Sequence, residues 1–156
     1  MEDDAQAFIT ELESRHGGPI GWRTYATWYG NNEGVIREFG VFFYWAVDQF
    51  HFEDFERTPS ILGISLKPKR PKQKFIKYAR SFTSSDVVLT RPIAKSVATK
   101  VIEGKWSGER IRETNFLDKI FRQMVEMVVL TDGTIHFFEL MNRKEFLSVL
   151  NTIDAR

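Results

Sequence analysis

Met124-Val125-Glu126-Met127-Val128-Val129-Leu130-Thr131-Asp132-Gly133-Thr134-Ile135-His136-Phe137-Phe138-Glu139-Leu140 reads as two apolar, partly alternating runs on either side of an Asp-Gly pair. Asp-Gly between such runs is a strong hairpin signal, because a type I′ turn needs positive φ at both central residues and this pair accepts it cheaply. Directly afterwards Asn142 is placed to cap a helix, and Glu145 stands three residues on to close the capping box. Met141 and Phe146 occupy the two positions of a hydrophobic staple, and Phe146, Val149, Leu150 and Ile153 fall on one helical face. The stretch predicts strand, tight turn, strand and capped helix, and the rest of the chain is organised around that unit.

Upstream, Ala5, Phe8, Ile9 and Leu12 recur at helical spacing, with Asp3 or Asp4 as a cap and Gly17-Gly18-Pro19 as a stop. From Ile20 to Gly34 the aromatics Trp22, Tyr25, Trp28 and Tyr29 mix with glycine and asparagine without a clear period, which predicts an irregular extension or a short strand. Val35 to Val47 is too apolar at its centre for a strand with one wet face, so burial over most of its length is expected. Asp48-Gln49 then gives a minimal loop into an alternating run from Phe50 to Glu53. Further strands are predicted over 61–66, 75–82 and 87–89, with a polar turn at Thr83-Ser84-Ser85-Asp86. After Pro92 the spacing of Ile93, Ala94, Val97, Ala98, Val101 and Ile102 predicts a helix over 92–103, with Pro92 at its first position and Gly104 at its stop. The β-branched residues leave a strand as the alternative there. Residues 115–121 fit a helical turn or the lead into the next strand equally well.

The chain of 156 residues suits one domain with a core built without disulfides or metals, with 1–34 as an N-terminal extension and 35–156 as sheet and closing helix. Fourteen phenylalanines and four tryptophans point to wide sheet faces filled by flat side chains. With 22 Lys+Arg against 21 Asp+Glu, the net charge of +1 gives no global attraction to nucleic acid or membrane. The absence of cysteine excludes a disulfide framework, a thiolate nucleophile and a cysteine-based zinc site, and fits a reducing compartment. The acidic start Met1-Glu2-Asp3-Asp4 and the lack of a long apolar run lead to the expectation of a cytoplasmic protein.

Motifs for chemistry are sparse. His16, His51 and His136 show no metal-ligand spacing, and His51 and His136 read as half-buried strand residues with a polar edge to solvent. The carboxylates Glu53, Asp54 and Glu56 read as a solvated strand end. No phosphate-cradling glycine pattern and no nucleophile elbow occurs, so neither cofactor nor enzymatic activity is expected; a small hydrolase using a strand histidine is the remote alternative. The conspicuous cluster is basic: Lys67, Lys69, Arg70, Lys72 and Lys74 in a proline-bearing loop, with Lys77 following. Such a group would attract an anionic lipid surface at about 1 kcal/mol per basic residue, or would simply keep a long loop solvated.

Val128 to Phe138 and Asn142 to Leu150 together resemble the last two strands and the closing helix of the pleckstrin-homology-like superfold. The resemblance implies an α+β domain: a bent antiparallel sheet or partly open barrel of about seven strands, closed by the C-terminal helix, with Phe146 as the aromatic plug. The N-terminal helix and the helix over 92–103 are additions to that plan. Lipid-binding members carry a basic motif in the first hairpin loop, whereas Val47-Asp48-Gln49 holds no Lys or Arg. The expected function is therefore a non-catalytic module with a protein partner, bound by a groove beside the last helix or by a sheet edge. Anionic phospholipid docking through 67–74 is the alternative, and nucleic acid is not expected.

Overall fold

The computed structural model describes residues 2–54, 60–61, 64–65, 78–108, 111 and 123–154. In chain order the elements are α1 (Glu2–His16), β1 (Ile20–Asn31), β2 (Ile36–Ala46), β3 (Gln49–Asp54), β4 (Ser60–Ile61), β5 (Ile64–Ser65), β6 (Ala79–Phe82), β7 (Val87–Ala94), α2 (Lys95–Ile102), β8 (Met124–Leu130), β9 (Ile135–Leu140) and α3 (Arg143–Asp154). The architecture is α+β: one open antiparallel sheet of seven strands in the order β6-β3-β2-β1-β9-β8-β7, with β4 and β5 forming a separate two-stranded ladder.

The sheet is strongly bent, as the chain's connectivity requires. Strands stand about 4.8 Å apart, so the edges of a flat seven-stranded sheet would lie about 29 Å from each other. Yet the edge strands β6 and β7 are consecutive, and the five peptide links from Phe82 to Val87 reach at most about 18 Å. Ring contacts across the inner face report the same curvature: Phe82 on β6 lies 6.3 Å from His136 on β9, and Phe52 on β3 lies 5.0 Å from Phe138. The inner face carries Trp28, Phe43, Phe50, Phe52, Phe82 and Phe138, with Phe146 and Leu150 of α3 packed into it. The outer face is covered in two places. Leu12 of α1 lies over Phe42 and Tyr44, and α2 packs through Ala98, Val101 and Ile102 over Tyr29, Met127 and Phe137.

Several expectations need correction. Residues 20–31, within the stretch read as an irregular extension or a short strand, form a strand that is the longest of the described ones and the centre of the sheet, paired on both sides. Its inward positions are Trp22, Ala26 and Trp28, with Gly21, Arg23 and Tyr25 outward; the alternation is present but partly written in small residues. Tyr29, outward by the same alternation, joins the outer core under α2, and the register slips between Trp28 and Gly30. Of the strand expected over 61–66, the described residues Ile61, Ile64 and Ser65 lie outside the main sheet, with Ile61 paired to Ile64 in the separate antiparallel ladder. Pro92 sits inside β7 opposite Glu126 rather than at a helix start; β7 is an edge strand, where a residue without N–H is tolerated. The helix begins only at Lys95 and stops before Gly104, as expected. Likewise α1 begins at Glu2, which puts Asp3 and Asp4 inside its first turn, and it ends before Gly17.

The central hairpin forms with a different turn. Among residues 131–134 only Gly133 has positive φ, at 89°, while Gly133 N–H donates to Leu130 O at 3.0 Å and Leu130 N–H to Thr134 O at 2.8 Å. This is a three-residue connection closed by a left-handed glycine, not the two-residue type I′ turn. The type I′ pattern appears instead at Val47 (φ 48°) and Asp48 (φ 62°), between the paired residues Ala46 and Gln49. Asn142 caps α3 by accepting from Glu145 N–H at 3.2 Å, but Met141 is 80% exposed, so the staple does not form. Asn142→Ala is expected to cost about 1 kcal/mol, measured as a lowered urea midpoint; a midpoint equal to that of the parent would show that the cap contributes nothing.

Candidate functional site

A cleft of about 570 Å³ lies beside α3, between that helix, the 47–48 turn and the Thr83–Ser85 turn. Three local features build it. Trp22 near the start of β1 and Trp45 near the end of β2 are register partners, and Gly21 gives the Trp45 ring room: a Cβ there would stand 2.8 Å from the indole. The Thr83–Asp86 capping box fixes the second wall, with Asp86 N–H donating to Thr83 Oγ1 and Thr83 N–H to Asp86 Oδ2 at 2.8 Å. The third wall is the α3 face carrying Ser148, Val149, Thr152 and Ile153.

Among the described residues the lining is two indoles and two aliphatic side chains, rimmed by five hydroxyls and one carboxylate, that of Asp48. Its chemistry is incomplete in one respect. Trp22 Nε1 and Trp45 Nε1 are both buried and find no hydrogen-bond partner among the described residues. A buried donor left unpaired costs about 1–3 kcal/mol, and here two such donors belong to residues lining one cleft. Both nitrogens are shielded from solvent. The 47–48 turn is the strained wall: Val47 is β-branched, has φ 48° and is 52% exposed.

Two adjoining depressions on the outer face, beside Tyr25, have a different character. The larger, about 730 Å³, is walled by Phe8 and Ile9 of α1; the smaller, about 440 Å³, contains Glu139. Glu139 is already engaged, accepting from the Tyr29 hydroxyl at 2.5 Å and from Gln123 Nε2 at 3.0 Å.

The basic residues singled out in the sequence, Lys67, Lys69, Arg70, Lys72, Lys74 and Lys77, lie outside the described residues, as does Glu56. Arg80 is exposed and its guanidinium sits 4.4 Å over the Tyr78 ring. The histidines do not assemble a reaction centre. His51 stacks on Tyr44 and lies 4.2 Å from His16 beneath α1, whereas His136 is on the inner face among Trp28, Phe52 and Phe82. His136 is buried, correcting the expectation of a wet edge. Glu53 and Asp54 are likewise buried rather than solvated: Glu53 accepts from Arg15 Nη1 at 2.8 Å, and Asp54 Oδ1 from Tyr78 N–H at 3.1 Å. Burial and the neighbouring Glu53 raise the Tyr44 phenol above its ordinary value, and burial and then His16 hold His51 below its own. These groups tie α1 to the sheet.

Among the described residues no three His, Asp or Glu side chains are placed to hold a metal, and no helix is long and apolar enough to cross a membrane. The cleft beside α3 carried no motif that sequence reading could find. Trp22 and Trp45 are 23 positions apart and reach α3 only through the fold. Compared with known proteins, the chain matches no family model, no curated protein and no solved structure.

Proposed function

We propose that the protein is a cytoplasmic, non-catalytic binding module that takes a segment of a partner protein in the cleft beside α3. The observation that carries this reading is the pair of buried, unpartnered indole N–H groups among the residues lining that cleft. A polypeptide supplies what they lack, since each of its residues offers a carbonyl acceptor and apolar side chains for Val149 and Ile153. The resemblance of residues 128–138 and 142–150 to the pleckstrin-homology-like superfold supports the same reading, because the groove then lies beside the closing helix.

The test uses the four indole N–H signals of the isotope-labelled chain, from Trp22, Trp28, Trp45 and Trp106. Peptides selected from a random library against the intact protein are expected to shift Trp22 and Trp45. Trp28, which donates to His136 Nδ1, and Trp106, which lies under Lys100, are expected to stay in place. Selected peptides that leave the Trp22 and Trp45 signals unmoved would rule out this cleft as the binding site.

A further inference from the structure

Resting on that reading, we infer that the partner segment is cationic and places a Lys or Arg side chain against Asp48 and the indoles of the cleft. The charge of the lining carries the inference. In a chain whose basic and acidic residues nearly balance, 22 against 21, the described residues lining the cleft include one carboxylate and no Lys, Arg or His. Thr152 and Ile153 belong to the last turn of α3, where the helix presents its partial negative charge. Indole faces add attraction for ammonium and guanidinium groups. All three features favour positive charge, and none of them favours an anion.

The apolar stems suit the same ligand. Lys and Arg carry three or four methylenes, which pack on indole and on Val149 and Ile153 while the charged head stays at the wet rim beside Asp48. Asp48 is exposed, at the turn described as the strained wall. Pairing with it therefore needs no burial of a charge.

The experiment titrates the intact chain with blocked pentapeptides Ser-Leu-X-Leu-Ser, where X is Lys, Arg, Gln or Glu, following the Trp22 and Trp45 indole signals. The Lys and Arg peptides are expected to bind tightest and the Glu peptide weakest. Asp48→Asn, which keeps a side chain tolerant of positive φ, is expected to cut the preference for Lys over Gln about 3-fold to 5-fold. The preference is also expected to fade between low salt and 0.5 M salt. Equal binding of the Lys and Gln peptides, unaffected by Asp48→Asn, overturns the inference while leaving the peptide-binding reading intact. No shift with either basic peptide also overturns it, and the library selection then decides separately whether the cleft takes any peptide.

Discussion

Phe146→Ala is expected to lower the unfolding free energy by about 3–5 kcal/mol. The residue is fully buried and its ring meets Phe43 and Phe50, each at 5.5 Å, and Trp22 at 5.7 Å. These partners come from three different strands, so the ring is the point at which α3 joins the inner core. Its removal leaves a hole walled by flat rings whose backbone is fixed by sheet hydrogen bonds, which is the situation in which collapse relieves little of the cavity cost. Urea unfolding followed by far-UV circular dichroism measures the effect, and an unchanged slope would show that stability rather than compactness has moved. A loss below about 1 kcal/mol would mean that α3 does not plug the sheet. Because Trp22 also lines the cleft, the same substitution is expected to shift its indole signal.

Acid is expected to weaken the fold through His136. Burial, and to a smaller degree Arg80, depresses its imidazole to about 4, against the partial opposing pull of Asp132. The geometry gives a local reason: Trp28 Nε1 donates to His136 Nδ1 at 3.3 Å, so that nitrogen must be unprotonated for the bond to exist. In the unfolded chain the same group takes its proton near the ordinary value of about 6.5. Between those two values the unfolded state binds more protons than the folded one, so stability falls as pH drops from neutrality towards 4. The loss amounts to about 3 kcal/mol and levels off below the folded value. His51, held down by burial and then by His16, adds a contribution of the same sign. The measurement is the difference in urea stability between the parent and His136→Gln across pH 7 to 4. The parent is expected to lose more over that interval, and parallel curves would show that His136 titrates normally in the folded protein.

Legibility in the sequence followed the range of the interactions. The two strands of the hairpin at 124–140, the face of α3 and the C-terminal stops of α1 and α2 rest on contacts within a few residues, and these were readable. Reading failed where a neighbour far along the chain decides the outcome. Gly21 reads as a breaker, but in place it is the space for the Trp45 ring; Pro92 reads as a helix start, but β7 is an edge and accepts it in a strand. Glu53 and Asp54 read as surface because nothing local announces Arg15 or the Tyr78 backbone as partners. The cleft was the least legible part. Its lining runs from Gly21 to Ile153, and its informative feature is a missing acceptor, which no pattern of residue types records.

The position of β1 has a consequence for the order of assembly. β1 and β2 pair across a short turn, but the other edge of β1 pairs with β9, and the Trp28 to His136 bond joins residues 108 positions apart. While the chain is being synthesised, the central strand therefore waits with one ladder of N–H and C=O groups open until β9 has emerged. Such an edge is a template for pairing with other chains. The nascent protein thus carries an aggregation hazard along β1 until the hairpin of β8 and β9 covers the exposed edge.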